Sequence, residues 1–568
     1  MKIAFLSNYT SEFIIKEFGK RLKESGIEYD FYISGFNQYV QEILGEESSF
    51  YNFKPDVVFL SIDLSFFAGD LFDNLFQEDN NEIYSAVEKR FKQLLSLVEK
   101  LREKLPVTQI FVDNFFLNST YFNKTLEANS SYSLSNIPVR LNLELEKFAA
   151  EQKGVRVVDI FSLIMKFGEK ELYDPRLFYI AKSKWSKTGN EKIADLYFSH
   201  IKAYKGLRKK VIVLDLDNTL WGGVIGQDGM ENIQLSNDGP GKAFYDFQKE
   251  LLKLYKQGIL LAVCSKNTED VALEAMKNHP YMILRPEYFA AMRINWENKG
   301  QNIKSIAQEL NLGTDSFIFL DDYAFERGLV KDQLPEVEVP DMPEDPLYYV
   351  EFLKSLDFFN FHTLTDDDFK RNKSYAANQE RKKLEESFTD TTSYLKSLDM
   401  QIIIKDMDDF SMPRIVQLIQ KTNQYNLTTR RYTESEVRAF YADPNYRILE
   451  ATVKDKFGDY GIIAGVILKF QEAKVYIDTF LMSCRVLGRG VETAILSYVT
   501  KIAEDKGIKI VEGEIIPTPK NEPSRDMYKK HDFTKKDGYF WELNLDEKKI
   551  EFPEYIKLVE HSADRVSN

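Results

Sequence analysis

The chain has 568 residues, of which 43% are hydrophobic and 14% aromatic, so it has enough apolar material for several packed cores. Its formal net charge of -14 argues against a nucleic-acid partner, because phosphates need a basic surface. Two cysteines exclude a disulfide framework, and the apolar runs are too short for a signal-peptide core or a membrane span. We therefore expect a soluble, cytoplasmic, multidomain α/β protein.

The first predicted domain, residues 1–205, alternates short apolar runs with helical stretches. Strands are expected at "KIAFLSN", "DVVFLSI", "TQIFVDN" and "VRVVDI". Near-continuous apolar strands separated by amphipathic helices are typical of a doubly wound parallel sheet.

The second predicted domain, residues 209–346, begins with the strand in "KVIVLDLDNTLWGG" and has further strands in "GILLAVCSKN" and "DSFIFLDD". Each of these strands ends in polar residues, and ligands of such sheets bind beyond the carboxyl ends of the strands. A charged helical connector is expected over 347–398. A third domain of α and β elements follows over 399–546, and residues 547–568 are expected to form a tail.

Asp215 and Asp217 follow the first strand of the second domain. Alternation along a strand predicts that both carboxylates lie on the same side of the chain, with Leu216 opposite. The pair suits a carboxylate that attacks phosphorus and a second carboxylic acid that protonates the leaving oxygen. The alternative interpretation is that strand-end aspartates only cap the helices that follow.

Two later motifs supply the remaining parts that this chemistry needs. Ser265 in "CSKN" can hold a phosphoryl oxygen, and Lys299 in "NWENKGQNI" offers a fixed positive charge. Oxygen atoms of strand-end aspartates suit Mg²⁺, which takes few protein carboxylates and keeps waters. The predicted Mg²⁺ ligands are Asp215, Asp217 through its backbone, Asp321 and Asp322.

The order of these elements resembles the haloacid-dehalogenase (HAD) superfamily of phosphotransferases, whose motifs are DxDxT, Ser/Thr, Lys and an acidic pair. The resemblance implies a Rossmann-like domain with Asp215 as nucleophile. The insert "WGGVIGQDGMENIQLSNDGPG" is only a hairpin-sized flap. Such a minimal cap leaves the site open to a phosphoryl group carried on something bulky, even a protein.

A glycine loop lies between a strand and a helix in the third domain. "RVLGRG" contains Arg485, Gly488, Arg489 and Gly490. Backbone N–H groups at such a junction, together with the helix dipole, form an anion site. The loop is therefore predicted to hold a pyrophosphate.

The loop and the later stretch "NEPSRDMYKKHDF", with Asn521 and Tyr528, together resemble the GCN5-related N-acetyltransferase (GNAT) fold. This resemblance implies that the loop and Asn521 bind coenzyme A, and that Tyr528 is the general acid for its thiolate. Acyl carrier proteins have the same phosphopantetheine arm as coenzyme A. The sequence leaves open which of the two supplies the thiol.

Cys484 directly precedes Arg485 and the glycine loop. A neighbouring cation and a helix N-terminus would favour a reactive thiolate, whereas a buried small residue at a strand end is the alternative. Cys264, inside the apolar run "LLAVCS", is expected to be structural.

Residues 210–545 resemble FkbH-like proteins of HAD subfamily IIIC, through "VLDLDNTLWGGVIGQDG", "CSKN", "QKTNQYNLTTRRYT" and "SCRVLGRGVE". The resemblance implies an enzyme that takes a glyceryl group from 1,3-bisphosphoglycerate, removes both phosphates, and holds the group as a thioester for an acyl carrier protein. We assign the thioester cysteine to Cys484 by position. "DDYAFER" departs from the family's "DDNP.ER", since Tyr323 and Ala324 replace Asn and Pro.

The N-terminal domain resembles the SGNH-hydrolase-like domain fused to some members. Hydrolases of that class need a Gly-Asp-Ser serine and a late Asp-x-x-His, but this chain has "FLSN" and a histidine-free "SKWSKTGN". A degenerate scaffold or docking domain is therefore expected, with catalysis by Ser7 as the alternative.

Three functions remain open at this point. The first is carrier charging from a phosphorylated three-carbon substrate. The second is a HAD phosphatase joined to a GNAT N-acyltransferase that uses acyl-CoA, in surface-polysaccharide or secondary-metabolite assembly. The third is a non-enzymatic scaffold. The arginines of "TNQYNLTTRR" (422–431) either recognise a phosphate or carboxylate, or satisfy carbonyls at a helix C-terminus.

Overall fold

The structure is a computed structural model that describes residues 1–77, 79–117, 124–362, 364, 381, 384, 387–519 and 521–559, apart from the side chain of Cys484. It divides into two compact units, Met1–Lys202 and Ala203–Asn568. Within the described ranges, no helix combines the length and the apolar character needed to cross a bilayer.

The first unit contains a five-stranded, all-parallel sheet, which confirms the predicted doubly wound fold. The strands are β1 (Lys2–Ser7), β2 (Asp30–Ile33), β3 (Val57–Ser61), β4 (Gln109–Asp113) and β5 (Val155–Val158), in the order β2-β1-β3-β4-β5. Strand β3 is buried along its whole length, as expected when helices cover both faces of a sheet. Strand β2, at one edge, was not predicted.

Eleven helices are described for this part of the chain. They are α1 (Glu12–Glu24), α2 (Tyr39–Leu44), α3 (Ser49–Phe53), α4 (Leu64–Phe72), α5 (Asn80–Lys104), α6 (Lys124–Ala128), α7 (Ile137–Glu151), α8 (Ile160–Phe167), α9 (Glu169–Leu172), α10 (Pro175–Ala181) and α11 (Lys187–Tyr204). Helix α5 packs one apolar stripe against the sheet, because Val87, Phe91, Leu94 and Val98 recur at helical spacing.

The second unit begins with a four-stranded parallel sheet. Its strands are β6 (Val211–Leu214), β7 (Leu260–Ser265), β8 (Phe289–Ile294) and β9 (Phe317–Leu320), in the order β8-β7-β6-β9. Apolar clusters cover both faces of this sheet, which fits strands that are continuous hydrophobic runs. Strand β8 was not predicted.

The helices around this sheet are α12 (Ile225–Asp228), α13 (Gly241–Lys256), α14 (Glu269–Asn278), α15 (Lys299–Glu309), α16 (Ala324–Gln333) and α17 (Tyr349–Ser355), with 3-10 turns at Pro286–Tyr288, Thr314–Ser316, Pro346–Tyr348 and Asp357–Phe359. The flap after β6 contains α12 and an isolated bridge from Gly222 to Gln234.

The predicted connector over 347–398 requires a correction. Tyr349, Leu353 and Phe359 are buried in the core of the four-stranded sheet, so the first part of this stretch belongs to that core. At the other end, helix α18 (Thr391–Ser397) packs Tyr394 and Leu395 into the core of the next sheet. Much of the stretch between these two ends lies outside the described residues.

An eight-stranded mixed sheet forms the rest of the second unit. Its strands are β10 (Met400–Asp406), β11 (Tyr446–Asp455), β12 (Gly458–Phe470), β13 (Lys474–Met482), β14 (Ile510–Glu514), β15 (Thr534–Lys535), β16 (Phe540–Asn544) and β17 (Ile556–Leu558), in the order β15-β16-β14-β13-β12-β11-β10-β17. Strands β10 to β13 pair antiparallel, and β13 pairs parallel with β14.

The helices of this part are α19 (Met412–Lys421), α20 (Glu434–Ala442), α21 (Val491–Asp505) and α22 (Met527–Lys530), with 3-10 turns at Cys484–Val486 and Glu522–Ser524. Helix α21 crosses from β13 to β14, as the predicted α+β domain requires. The expected tail is not wholly separate, since β17 pairs with Met400, Gln401 and Ile402 of β10. Its three-residue length explains why the sequence pattern did not reveal it.

Candidate functional site

Three carboxylates meet at the carboxyl end of the four-stranded sheet. Asp215 directly follows β6, and Asp321 and Asp322 directly follow the neighbouring strand β9. Because β6 and β9 are parallel and in register, with Leu214 opposite Leu320, the residues after them are neighbours. Carboxylate oxygens of the three aspartates lie within 4.8 Å of one another.

Lys299 lies between two of these carboxylates. It is the first residue of α15, and its Nζ is 2.9 Å from Asp215 and 2.5 Å from Asp321. The side chain is 4% exposed, so water screens these charges weakly. Burial alone lowers the pKa of Lys299, but the two aspartates raise it above its usual value, and the lysine stays charged.

Negative charge exceeds positive charge in this cluster. Burial, followed by the charge of Asp215, raises the pKa of Asp321. Burial and the charges of Asp215 and Asp321 raise the pKa of Asp322 to about 7. Three carboxylates beside one ammonium are a donor set that suits a hard divalent cation, so the residues present fit the predicted Mg²⁺.

The carboxyl group of Asp217 lies outside this three-carboxylate group. Its Oδ1 accepts hydrogen bonds from the indole N–H of Trp221 (2.8 Å) and the backbone N–H of Ile225 (3.0 Å), and its Oδ2 accepts one from Asn267 (2.9 Å). Strand β6 ends at Leu214, so the predicted alternation does not continue to Asp217. Two N–H groups of the flap and the side chain of Asn267, which follows β7, orient this carboxyl group.

Burial is the main cause that raises the pKa of Asp217. A raised pKa suits the predicted proton donor, because the group retains its proton nearer neutral pH. The structure therefore separates the two aspartates, with Asp215 in the charged cluster and Asp217 under the flap.

Ser265 is the last residue of β7 and is 2% exposed. Like Asp215, it lies at the carboxyl end of the parallel strands. Its neighbour Cys264 is buried, with its Sγ 3.7 Å from the carbonyl of Lys299. Burial raises the pKa of Cys264 to about 12, so this thiol stays protonated. The placement agrees with its interpretation as a structural residue.

Arg327 is a supporting residue that the sequence analysis did not identify. It is buried, and its Nη1 donates to the carbonyls of Asp321 (2.8 Å) and Asp322 (2.7 Å). Arg327 is the arginine of the "ER" that "DDYAFER" shares with the family pattern "DDNP.ER". This shared pair was the sequence signal that could have identified it. With Arg327 in place, both aspartates hold their positions although Tyr323 and Ala324 differ.

The glycine loop forms the predicted strand-to-helix junction. Gly488 and Gly490 have φ values of +74° and +72°, a left-handed conformation that favours glycine. Gly488 is exposed, but a side-chain atom on Gly490 would overlap the hydroxyl of Tyr555. Tyr555, just before β17, thus packs against the loop.

The two arginines of the loop have partners within the chain. Arg489 donates to the hydroxyl of Tyr460 and lies 3.9 Å from Asp455. Arg485 is 7% exposed, and its Nε donates to the hydroxyl of Ser483. Cys484 begins the 3-10 turn that contains Arg485, but the side chain of Cys484 lies outside the described residues.

A segment of the chain fills the space where β13 and β14 diverge. Pairing of these strands ends at Ile477 and Gly513. Beyond that point, residues 425–428, which we call the wedge, take up the free edge of β13. Leu427 N–H donates to Phe480 (3.1 Å), and Met482 N–H donates to Tyr425 (2.9 Å).

The other edge of the wedge also forms hydrogen bonds, with residues that follow β14. Ile516 N–H donates to the carbonyl of Leu427 (2.9 Å), and the side chain of Asn521 donates to the carbonyl of Asn426 (3.1 Å). Asn426, Leu427 and Asn521 are fully buried. The predicted cofactor ligand Asn521 therefore fixes the wedge.

Tyr528 is also a buried residue. Its side chain is 0% exposed, and its hydroxyl has no hydrogen-bond partner among the described residues. Burial raises its pKa well above the usual value. A pantetheine arm along β13 would need the edge that the wedge occupies, so the residues present do not fit coenzyme A held in that slot.

The paired arginines of 422–431 also bind groups of the chain itself. Arg431 donates to the carbonyls of Ile419 and Thr422, at the C-terminus of α19, as the alternative interpretation stated. Arg430 lies 2.6 Å from Glu514 and 3.3 Å from Asp478.

In the first unit, Ser7 donates its hydroxyl to the carbonyl of Tyr9 (2.8 Å). Two pairs of buried polar residues lie near the carboxyl ends of the neighbouring strands β3 and β4. Lys184 forms an ion pair with Asp63, and the carboxylate of Asp113 accepts a hydrogen bond from the hydroxyl of Ser61. Catalysis by Ser7 stays a prediction.

Comparisons with known proteins cover two parts of the chain. Residues 2–187 match the family model described as "FkbH, N-terminal domain". No curated protein sequence matches the chain.

Among solved structures, the N-terminal part of the protein BF1531 from Bacteroides fragilis, containing a phosphatase domain complexed with Mg, is 30% identical with a TM-score of 0.59. This match covers 64% of the present chain and 94% of that chain. The ribosomal-protein-S18-alanine N-acetyltransferase from Escherichia coli is 12% identical with a TM-score of 0.21, and the match covers 25% of this chain and 94% of that one. The GNAT-like character of the third sheet rests on its own strand order and loop.

Proposed function

Because the chain belongs to the same family as the phosphatase-domain protein BF1531 and carries an FkbH N-terminal domain, we propose that it charges an acyl carrier protein with a glyceryl group from 1,3-bisphosphoglycerate. The chain is an enzyme that joins a HAD-type phosphatase to a part with an acyltransferase fold. The observation that carries the proposal is the cluster of Asp215, Asp321 and Asp322, with Lys299 between the first two.

Phosphate removal is assigned to the strand-end aspartates. An oxygen of Asp215 attacks the phosphorus of the 3-phosphate, and the bond from phosphorus to the C3 oxygen breaks. Asp217, whose pKa is raised, gives a proton to that leaving oxygen. Water then cleaves the aspartyl-phosphate and releases inorganic phosphate, while Lys299 balances the charge of Asp215.

A divalent cation would be held by Asp215, Asp322 and the backbone of Asp217, with Asp321 engaged by Lys299. Mg²⁺ bound there supplies positive charge that stabilises the transferring phosphoryl group. The Mg in the BF1531 structure supports this choice of metal.

Acyl transfer is assigned to the GNAT-like part, with Cys484 as the predicted thioester residue. The buried wedge disfavours a phosphopantetheine arm in the slot between β13 and β14, whether it belongs to coenzyme A or to a carrier protein, so the thiol must approach from another side. The scaffold alternative gives no reason for Lys299, Asp215 and Asp321 to be buried together beside the half-buried Asp322 without a ligand, because unpaired buried charge is costly.

Intact-protein mass spectrometry tests the proposal. The full chain is mixed with Mg²⁺, 1,3-bisphosphoglycerate and a holo carrier protein, beside Asp215→Asn and the control Glu297→Gln, which removes an exposed carboxylate near Lys299. We expect glyceryl-carrier with the wild type and the control, and at least about 1,000-fold slower phosphate removal with Asp215→Asn. Phosphate release without any carrier adduct contradicts carrier charging.

A further inference from the structure

Residues 204–210, which lead into β6, line a cavity of about 360 Å³ together with the end of α19 and the residues after it. The chain as a whole has a formal net charge of -14, but the charge of this cavity has the opposite sign. The described residues that line it include one carboxylate, that of Asp315, and six cations. These six residues, which we call the basic surface, are Lys205, Arg208, Lys209, Lys210, Lys421 and Arg431.

Neutral oxygen atoms orient cations of the basic surface. Lys209 Nζ donates to the carbonyl of Asp315 (2.9 Å). Arg431 donates to the carbonyl of Thr422 (2.7 Å) and to the side-chain oxygen of Asn423 (2.6 Å). Oxygens of this kind carry no net charge, so these hydrogen bonds fix the side chains without cancelling their charge. A surface of oriented ammonium and guanidinium groups suits a phosphate, because both groups bind phosphate oxygens.

A larger cavity, of about 550 Å³, adjoins the basic one, and Lys210 and Lys421 line both of them. Its volume is typical of a site for a small molecule or a prosthetic arm. Ser483 and Arg485 also line the larger cavity. They are the chain neighbours of Cys484, the predicted thioester residue. The two cavities together therefore lead from the basic surface to the end of β13.

A phosphopantetheine arm has the chemistry that these two cavities would recognise. The arm is joined to its carrier through an anionic phosphodiester, and its thiol lies at the far end of a flexible, uncharged chain. The wedge closes the slot between β13 and β14, so the arm needs another route to the end of β13. The basic surface suits the phosphodiester, and Leu418, Tyr425 and Met482 give the larger cavity apolar surface for the uncharged chain.

We infer that the basic surface is the docking site of the acyl carrier protein, where it binds the phosphodiester of the arm while the thiol reaches the end of β13 through the larger cavity. This inference rests on the proposed function. A small phosphate ester would occupy the basic cavity alone and would leave the adjoining cavity without a role, so the carrier is the occupant that accounts for both.

The reaction that this docking serves is an exchange of thioesters. The sulfur of the arm forms a bond to the acyl carbon held on Cys484, and the bond from that carbon to the Cys484 sulfur breaks. The proton of the arm's thiol passes to the Cys484 sulfur. The products are the glyceryl-carrier and the enzyme thiol, so the exchange needs no further reactant.

Binding of a fluorescently labelled acyl carrier protein to the full chain tests the docking site without requiring any chemistry. The carrier is used in its holo form and in its apo form, which lacks the arm. Lys205→Glu combined with Lys421→Glu reverses two charges of the basic surface. The control Lys501→Glu makes the same change at an exposed position of α21. Thermal unfolding of each variant reports whether it is folded.

We expect the double variant to bind holo-carrier at least about tenfold more weakly than wild type does, whereas Lys501→Glu should match wild type. Binding to wild type should weaken as salt is added, because the attraction is between charges. Apo-carrier should bind wild type more weakly than holo-carrier, since it has no phosphodiester. In the transfer reaction, the KM for the carrier should rise in the double variant, with kcat close to wild type.

Equal binding of holo-carrier by the folded double variant and by wild type overturns the docking site. Equal binding of apo-carrier and holo-carrier by wild type overturns the role of the phosphodiester. Displacement of holo-carrier by 3-phosphoglycerate, but not by potassium chloride of the same ionic strength, assigns the surface to a small phosphate ester and overturns the inference. Wild-type chain that binds holo-carrier through the basic surface but forms no glyceryl-carrier supports the docking site and contradicts the proposed function.

Discussion

The phenol of Tyr528 occupies the space left by the missing side chain of Gly513. A Cβ on Gly513 would overlap the Tyr528 hydroxyl, so this glycine is needed for a close approach and not for a turn. The two residues join α22 to β14 in the core of the third sheet. The relationship identifies a packing role for a tyrosine that the sequence predicted to be a general acid.

Tyr528→Phe separates these two roles. Because the hydroxyl is buried without a described partner, its removal should leave the free energy of unfolding unchanged or slightly higher. Carrier loading should stay within about twofold of wild type, whereas loss of a general acid costs about 100-fold or more. Gly513→Ala is the matched packing variant and should destabilise the chain by about 1–3 kcal/mol. A large loss of loading with normal stability in Tyr528→Phe would restore the acid role.

Lys299→Met should damage both activity and stability. The change leaves Asp215 and Asp321 buried without their ammonium partner, which costs about 3–5 kcal/mol. Turnover of p-nitrophenyl phosphate should fall at least about 100-fold. Urea denaturation with and without Mg²⁺ measures the stability change, and Mg²⁺ should recover part of it. Lys304→Met, at an exposed position of α15, is the control and should match wild type.

Asp113→Asn should change the pH dependence of the first unit. Burial raises the pKa of Asp113 to about 7 in the folded state, from an ordinary value of 3.8. The folded state therefore binds the extra proton, and this contribution to stability is present at low pH and lost as pH rises through 7. Between pH 6 and pH 8 the loss is about 1.4 kcal/mol.

Hydrogen exchange of peptides from β3 and β4 measures this effect. Wild type should lose protection between pH 6 and pH 8 beyond the intrinsic rate change, and Asp113→Asn should not. Asp73→Asn, an exposed carboxyl of the same unit, is the control. Equal pH dependence in wild type and Asp113→Asn would mean that Asp113 is ionised throughout this range.

Ending the chain after Asp546 should expose the edge of β10. Strand β17 covers Met400, Gln401 and Ile402, and an unpaired edge is a template for association. We expect a lower melting temperature and self-association in size-exclusion chromatography. A chain ending at Val559 keeps β17 and its last described hydrogen bond to Ile402, and it should behave as wild type. A monomeric, equally stable short chain would show that β17 does not protect this edge.

The sequence was sufficient for the main strands of both parallel sheets, because their apolar runs are long and end in polar residues. It did not reveal β2, an exposed edge strand, or β8, whose "FAAMRI" is rich in alanine and lacks β-branched residues until its end. The sequence also did not predict that the eight-stranded sheet extends to β17, within the expected tail. These elements are set by tertiary pairing more than by local pattern.

The carboxylate cluster was predictable because strand ends bring Asp215, Asp321 and Asp322 together. The direction of the Asp217 side chain was not predictable, since it depends on hydrogen bonds from the flap and from Asn267. The wedge could not be predicted either, because "YNLT" is a short polar-apolar run whose pairing with β13 is fixed only in the folded chain. Long-range backbone contacts of this kind leave no local periodicity to read.

The burial of the four-stranded sheet has a consequence for how the carboxylate cluster is reached. Val211–Leu214 of β6 are fully buried, and apolar clusters cover both faces of the sheet. Substrate and water therefore cannot pass through the sheet and must approach the cluster from the carboxyl ends of the strands, where the flap lies. The direction of approach is set by the sheet itself.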